Sequence, residues 1–182
     1  DYEDNRLRFA FLSRASIEYF RSRGERPHVF HAHDWQAGLV PVFLKSFYWD
    51  DPTLYRVPSV FTIHNLAYQG HFPADTPTVL GLPWNLAAGD ALEFHGGVSY
   101  LKGGVLFSEA VNTVSPHYAR EIQTLEMGYA FDGILRSRAA DLVGILNGVD
   151  YESWYAEIDP HILRIYSADD LAGKAECNAD LL

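Results

Sequence analysis

Residues 28–38 read HVFHAHDWQAG, and this stretch decides the fold. Pro27 precedes it and stops any helix that arrives from upstream. A short, mostly apolar run follows and ends in His33 and Asp34, which predicts a buried strand over residues 28–33. The helical spacing of apolar residues from about position 35 predicts a helix with Asp34 as its N-cap. Polar residues between a buried strand and a helix lie at the carboxyl edge of a parallel sheet, where open α/β folds bind their ligands.

The same pattern recurs at residues 59–70, which read SVFTIHNLAYQG. It predicts a second strand over residues 59–64, ending in His64 and Asn65. Neighbouring parallel strands lie about 4.8 Å apart. We therefore expect the side chains of Asp34 and His64 to open onto one concavity, with Asn147 on its rim.

The rest of the chain alternates between helical and extended patterns. Helices are predicted over residues 4–23, 99–107, 116–124, 131–140 and 168–182, and strands over residues 110–114 and 142–146. Residues 65–77 are predicted to form a loop, and residues 78–92 short helical turns. Pro41 should kink the helix after Asp34 or delay its start. This order predicts an α/β fold with a parallel sheet and right-handed crossovers.

Composition limits the possible function. The chain has 182 residues, enough for one domain, and a net charge of −10. This charge argues against binding nucleic acid or an anionic membrane through a broad basic face. We expect neither a membrane span nor a signal peptide. The single cysteine, Cys177, cannot form an internal disulfide, which favours a reducing cytosol.

Two chemistries are open to the residues at the strand ends. His31 and His33 form an H-x-H pair on one strand face, a spacing that suits a divalent metal in a hydrolase, although nothing obvious completes such a site. Asp34 and His64 could instead hold sugar hydroxyls or move a proton. The structural alternative is that Asp34 only caps its helix and His64 only bonds a loop carbonyl.

Three further residues have both a structural and a functional interpretation. Glu93 is either a charged loop residue or a substrate contact. Lys102 is either a solvated helix residue or a partner for a substrate group. Asn147 precedes Gly148 and marks a turn, yet it also follows a predicted strand, at the same edge as Asp34 and His64.

Six motifs occur in order along the chain: HAHDWQAGL, FTIHNLAYQG, LEFHGGVSYLKGG, NTVSPHYAREI, GILNGVD and GKAE. Together they resemble the bacterial glycogen synthase and plant starch synthase family, from about residue 5 to residue 182. The resemblance implies a Rossmann-like parallel sheet with helices on both faces, in the N-terminal half of a two-domain GT-B glycosyltransferase. It also implies transfer of glucose from ADP-glucose to the non-reducing end of an α-1,4-glucan, with retention of configuration and without a metal or other cofactor.

Matching positions in these motifs give the expected site residues. The resemblance implies that Asp34 and His64 are catalytic. It also implies five substrate-binding residues: His33, Asn65, Glu93, Lys102 and Asn147. The donor and the glucan are the only expected partners, and the expected location is the cytoplasm, or the plastid in a plant.

The resemblance further implies how the chain is organised. Residues 1–165 would form a partial N-terminal, acceptor-side domain, with the family's first strands and its Lys-Gly-Gly loop lying before residue 1. Residues 166–182 would form a helix at the start of the inter-domain link, and the C-terminal nucleotide-binding domain would lie outside the chain. By itself the chain would then be inactive. A metal-dependent hydrolase and a non-catalytic glucan-binding remnant are the alternative interpretations.

Overall fold

The computed structural model describes residues 2–87 and 91–181, which contain seven strands and seven α-helices. The strands are β1 (Phe30–His33), β2 (Ser59–Ile63), β3 (His71–Pro73), β4 (Glu93–Phe94), β5 (Gly97–Ser99), β6 (Ala110–Thr113) and β7 (Leu142–Gly144). The helices are α1 (Asn5–Ser22), α2 (Leu39–Ser46), α3 (Thr76–Val79), α4 (Tyr100–Phe107), α5 (Pro116–Glu121), α6 (Asp132–Ser137) and α7 (Ala172–Asp180). Short 3₁₀ turns span Trp35–Ala37 and Trp84–Ala87.

The main sheet has four parallel strands in the order β1-β2-β6-β7, which confirms the predicted α/β fold. One row of paired residues across the four strands (a register row) places Ala32 beside Phe61, Phe61 beside Val111, and Val111 beside Leu142. Phe61 is fully buried in this row, and burying a side chain of this size contributes about 1.5–3 kcal/mol. This face of the sheet therefore carries the core.

The next register row lies on the opposite face, because side chains alternate along a strand. It runs His33, Thr62, Asn112 and Val143. His33 and Val143 are exposed, and Thr62 is buried. The sheet is thus apolar on one face and partly polar on the other, and the polar side chains lie towards the strand ends that carry the candidate site.

Helix α4 lies close to Gly38, just before α2, and to β2, because glycines stand at both contacts. A Cβ atom on Gly38 would lie 2.1 Å from the backbone oxygen of Tyr100. A Cβ atom on Gly104 would lie 2.3 Å from the ring of Phe61. Only glycine fits at these two positions, so Gly38 permits the close approach of the start of α4, and Gly104 permits the packing of α4 on β2.

The predicted helix from residue 35 begins later than expected. Trp35–Ala37 form a 3₁₀ turn, and α2 starts only at Leu39. Pro41 is the third residue of α2, where a missing N–H is tolerated, so the proline delays the helix rather than kinking it. Asp34 forms no side-chain cap bond, and its predicted capping role is therefore wrong.

A second, antiparallel sheet has the strand order β3-β5-β4. Residues 65–77 were predicted as loop and residues 78–92 as helical turns, so β3 and the β4–β5 hairpin are additions to the predicted fold. These strands have only two or three residues each, too few for a periodic pattern. Residues 88–90 of the predicted turns lie outside the described residues.

The chain divides into two units, residues 1–146 and Asn147–Leu182. In the second unit, α7 begins at Ala172 rather than at residue 168, because Ser167 Oγ accepts bonds from the amides of Asp169 and Asp170 in a turn. Arg164 pairs with Glu176 and ties this turn region to α7. Among the described helices, none is both long and apolar enough to span a bilayer.

Candidate functional site

Asp34 and His64 lie at adjacent ends of β1 and β2 and are joined by a hydrogen bond. The Asp34 amide donates to the Thr62 carbonyl at 2.9 Å, which extends the ladder one residue past β1. The Asp34 carboxylate Oδ1 accepts the His64 amide at 2.8 Å. The carboxylate thus fixes the turn after β2, and this bond replaces the predicted helix cap.

Asp34 has a strained backbone. Its φ of 53° and ψ of −177° lie in a region that only glycine adopts easily. Such a conformation costs about 1–3 kcal/mol and persists only where the surroundings enforce it. Strain of this kind concentrates at binding and catalytic sites. The observed outlier therefore makes this strand end a candidate for a functional site.

Three histidines form a stacked cluster beside Asp34. The rings of His31 and His33 lie 4.2 Å apart between centroids. His33 Nδ1 lies 3.0 Å from His64 Nε2, which places a hydrogen bond between the two rings. His31 Nε2 lies 2.6 Å from Thr62 Oγ1. His33 therefore contacts the His64 side chain and supports its position.

The His33 environment opposes positive charge. Partial burial lowers the pKa of His33, His31 and His64 lower it further, and Asp34 acts in the opposite direction. Two protonated nitrogens cannot face each other at 3.0 Å without repulsion, so the hydrogen-bonded pair of His33 and His64 holds at most one positive charge. The lowered pKa favours the uncharged form of His33.

His64 and Asn65 open onto a cavity of about 340 Å³. Its other lining residues are Val114, Tyr118, Met127 and Tyr129. Asp34 does not line this cavity, because its carboxylate faces the His64 amide. The prediction that Asp34 and His64 both open onto one concavity is therefore wrong for this cavity. Neither lysine nor arginine is among the lining residues, so the cavity suits an uncharged polar group rather than a phosphate.

The loop after His64 is held by its own side chains and by α5. Asn65 Oδ1 accepts the Ala67 amide at 3.0 Å, closing an Asx turn. Tyr118 of α5 accepts the Leu66 amide at its hydroxyl oxygen at 3.1 Å. Asn65 itself is exposed. The loop is therefore ordered while Asn65 remains accessible to a ligand.

Glu93 and Lys102 lie together, in contact with the second sheet. Lys102 is buried, and its ammonium donates to the Glu93 carbonyl at 2.6 Å. The Glu93 carboxylate accepts the Gly96 amide at 3.0 Å within the β4–β5 turn. Neither residue lines the cavity beside His64. Their contacts stabilise the hairpin, and their substrate role stays a prediction.

Asn147 begins the second unit and is exposed. Strand β7 ends at Gly144, two residues earlier than predicted, so Asn147 does not directly follow the strand. Its role near a donor stays a prediction.

Sequence reasoning did not single out Tyr129, which lines the cavity beside His64. Tyr129 and Ala130 have positive φ angles of 46° and 66°. The only sequence signal was Gly128, at the start of this turn, and a single glycine does not identify a ligand site.

The histidine cluster lacks the ligands of a metal site. Within residues 2–87 and 91–181, no group of three or more His, Cys, Asp or Glu side chains could hold a metal ion. His31 and His33 bond to Thr62 and His64 instead. The hydrolase interpretation therefore gains no support from the described residues.

Comparison with known proteins identifies similar sequences and folds. Residues 1–137 match the profile of a family described as the starch synthase catalytic domain. Glycogen synthases from Myxococcus xanthus and Koribacter versatilis are 52% and 49% identical over 182 residues, which is all of this chain but 38% and 37% of those proteins. The solved catalytic domain of starch synthase IV from Arabidopsis thaliana, bound to ADP and acarbose, is 34% identical with a TM-score of 0.78. The alignment covers 100% of this chain and 37% of that one, so the chain spans little more than a third of these proteins' length.

Proposed function

The chain belongs to the starch synthase catalytic domain family, and on that basis we propose that it forms the acceptor-side part of a glycogen or starch synthase. The reaction is transfer of glucose from ADP-glucose to the non-reducing end of an α-1,4-glucan, with retention of configuration. The ADP and acarbose in the similar starch synthase structure fit a nucleotide donor and a glucan-like acceptor. No cofactor is needed, and the cytoplasm is the proposed location.

One observation carries this proposal: two adjacent strand ends present Asp34 and His64 together, with strain stored at Asp34. The Asp34 carboxylate holds the His64 amide, which sets the position of the turn that faces the cavity. In our proposal His64 and Asn65 contact the glucosyl unit, and Asp34 binds sugar hydroxyls or handles a proton at the same edge.

The remaining predicted residues have secondary roles in the proposal. His33 supports the His64 ring through the 3.0 Å contact. Glu93 and Lys102 shape the hairpin, and Asn147 lies near the donor. Because neither lysine nor arginine lines the cavity beside His64, the donor diphosphate is expected to be held by other parts of the intact protein.

The test is ADP release from ADP-glucose with glycogen as acceptor, measured on the intact protein that carries this chain. We expect activity in the wild type and a loss of about 10²-fold or more in Asp34→Asn, if the carboxylate acts in the transition state. Asn keeps an oxygen that accepts the His64 amide, so folding should be nearly unchanged. Glycogen binding without ADP release in the wild type would favour the non-catalytic alternative. Stoichiometric zinc together with hydrolysis would favour the hydrolase.

A further inference from the structure

Tyr129 presents an aromatic ring to the cavity that His64 and Asn65 line. The residue is 54% exposed, so its ring is available to a ligand. The other tyrosine that lines the cavity, Tyr118, is partly buried, and its hydroxyl oxygen accepts the Leu66 amide. Of the two tyrosine rings in this cavity, Tyr129 is therefore the one available for stacking.

The backbone holds Tyr129 in this position at an energetic cost. Both Tyr129 and Ala130 have positive φ, a backbone conformation that residues other than glycine rarely adopt. The Tyr129 carbonyl accepts the Gln69 side-chain amide at 2.9 Å, which ties the turn to the loop that follows His64. The Phe131 amide closes the turn on the Gly128 carbonyl at 2.7 Å.

Gly128 and Phe131 anchor the two ends of the turn. A Cβ atom on Gly128 would lie 2.5 Å from the Thr124 carbonyl oxygen, so the chain there fits only glycine. Phe131 is fully buried, and its ring lies 4.6 Å from that of Phe94. A strained turn anchored in the core and bonded to the His64 loop fixes the backbone from which the Tyr129 side chain projects.

The cavity selects for a neutral, partly apolar ligand. Its lining combines the polar His64 and Asn65 with apolar side chains and lacks lysine and arginine. A pyranose ring has the matching chemistry, because its C–H face packs on an aromatic ring while its hydroxyls bond to imidazole and amide groups. A volume of about 340 Å³ is at the small end for ligand cavities, which span roughly 300–1,000 Å³, and this favours one sugar unit over several.

We propose that Tyr129 is the platform on which a single glucosyl ring stacks in the cavity beside His64 and Asn65. The assignment rests on the proposed function, since it names a contact of the same site. The ring belongs either to the end of a glucan or to the glucose of the nucleotide donor. Both sources share the pyranose chemistry, and the experiment separates them.

The test is calorimetric titration of the intact protein with maltotriose, ADP-glucose and ADP. Tyr129→Ala should weaken binding of maltotriose or of ADP-glucose by about tenfold, the effect expected for losing one aromatic contact. ADP binding should change by less than about twofold, because ADP has no pyranose. Tyr129→Phe keeps the ring and should bind as the wild type does. If only maltotriose weakens, the platform holds the glucan; if only ADP-glucose weakens, it holds the donor sugar.

Two control variants distinguish the loss of the Tyr129 ring from a general disturbance of the fold. Tyr19→Ala removes a tyrosine of similar exposure, 56%, from α1, and should change no affinity. Tyr129→Gly also lacks the ring but suits the positive φ, so it replaces Tyr129→Ala if that variant unfolds. Unchanged affinity for both sugars in Tyr129→Gly, or an equal loss for ADP, would overturn the assignment. If the wild type binds neither sugar ligand, the proposed function itself fails.

Discussion

Replacing Asp34 by glycine and by alanine tests whether its backbone is strained. Both variants lose the carboxylate and its bond to the His64 amide, so that loss cancels in the comparison. Glycine adopts the φ of 53° and ψ of −177° without the cost of about 1–3 kcal/mol that alanine keeps. Against this, glycine loses about 0.5–1 kcal/mol more conformational entropy on folding than alanine. The net expectation is that Asp34→Gly is more stable than Asp34→Ala by about 1 kcal/mol.

The assay is thermal unfolding of the 182-residue chain followed by circular dichroism. A difference of about 1 kcal/mol corresponds to a shift of about 2–4 °C in Tm for a domain of this size. Asp75 provides the matched control, because its φ of −76° is ordinary and its carboxylate is also engaged, by Arg6. At Asp75 alanine should be the more stable replacement. If alanine is at least as stable as glycine at position 34, the strain argument is refuted.

Three further expectations follow from the same contacts. Because the pKa of His33 is lowered on folding, mainly by partial burial, the unfolded state binds more protons near its ordinary pKa of about 6.5. Stability should therefore fall as the pH drops from above about 6.5 through the lowered pKa of His33. His33→Gln should flatten this part of the Tm–pH curve. An unchanged curve in this variant would show that His33 is not the source of the pH dependence. Gly104→Ala places a Cβ atom 2.3 Å from the Phe61 ring and should destabilise the chain by about 1–3 kcal/mol, whereas Gly133→Ala, with its nearest atom at 4.0 Å, should be tolerated. Equal Tm values for these two glycine variants would refute the packing argument. The 182-residue chain alone should release no ADP from ADP-glucose with glycogen, because diphosphate departure needs charge stabilisation that the cavity beside His64 lacks; measurable release would contradict this.

The main sheet could be predicted because each of its strands is a short apolar segment bounded by polar residues. Strands β1 and β2 follow the predicted pattern, and their parallel pairing brings Asp34 beside the His64 amide. The sequence pattern also indicated that Pro41 disturbs the following helix. The position of each strand and the effect of Pro41 depend on neighbours within a few positions along the chain, which a sequence pattern records directly.

The rest depends on contacts between distant segments. Asp34 looked like a helix cap, but its partner is an amide 30 residues away. Tyr129 reaches the cavity only because a strained turn is bonded to Gln69, 60 residues away. The β4–β5 hairpin has strands too short for periodicity to reveal. No local pattern encodes such pairings, so they became visible only in three dimensions.

The most direct test of the central claim is a crystal structure of the intact protein with ADP and acarbose. The claim is that the strand ends carrying Asp34 and His64 form the glucosyl site. It predicts a sugar ring within hydrogen-bond distance, about 2.7–3.2 Å, of the Asp34 carboxylate or of His64. A sugar bound elsewhere, with neither residue in contact, would contradict the claim.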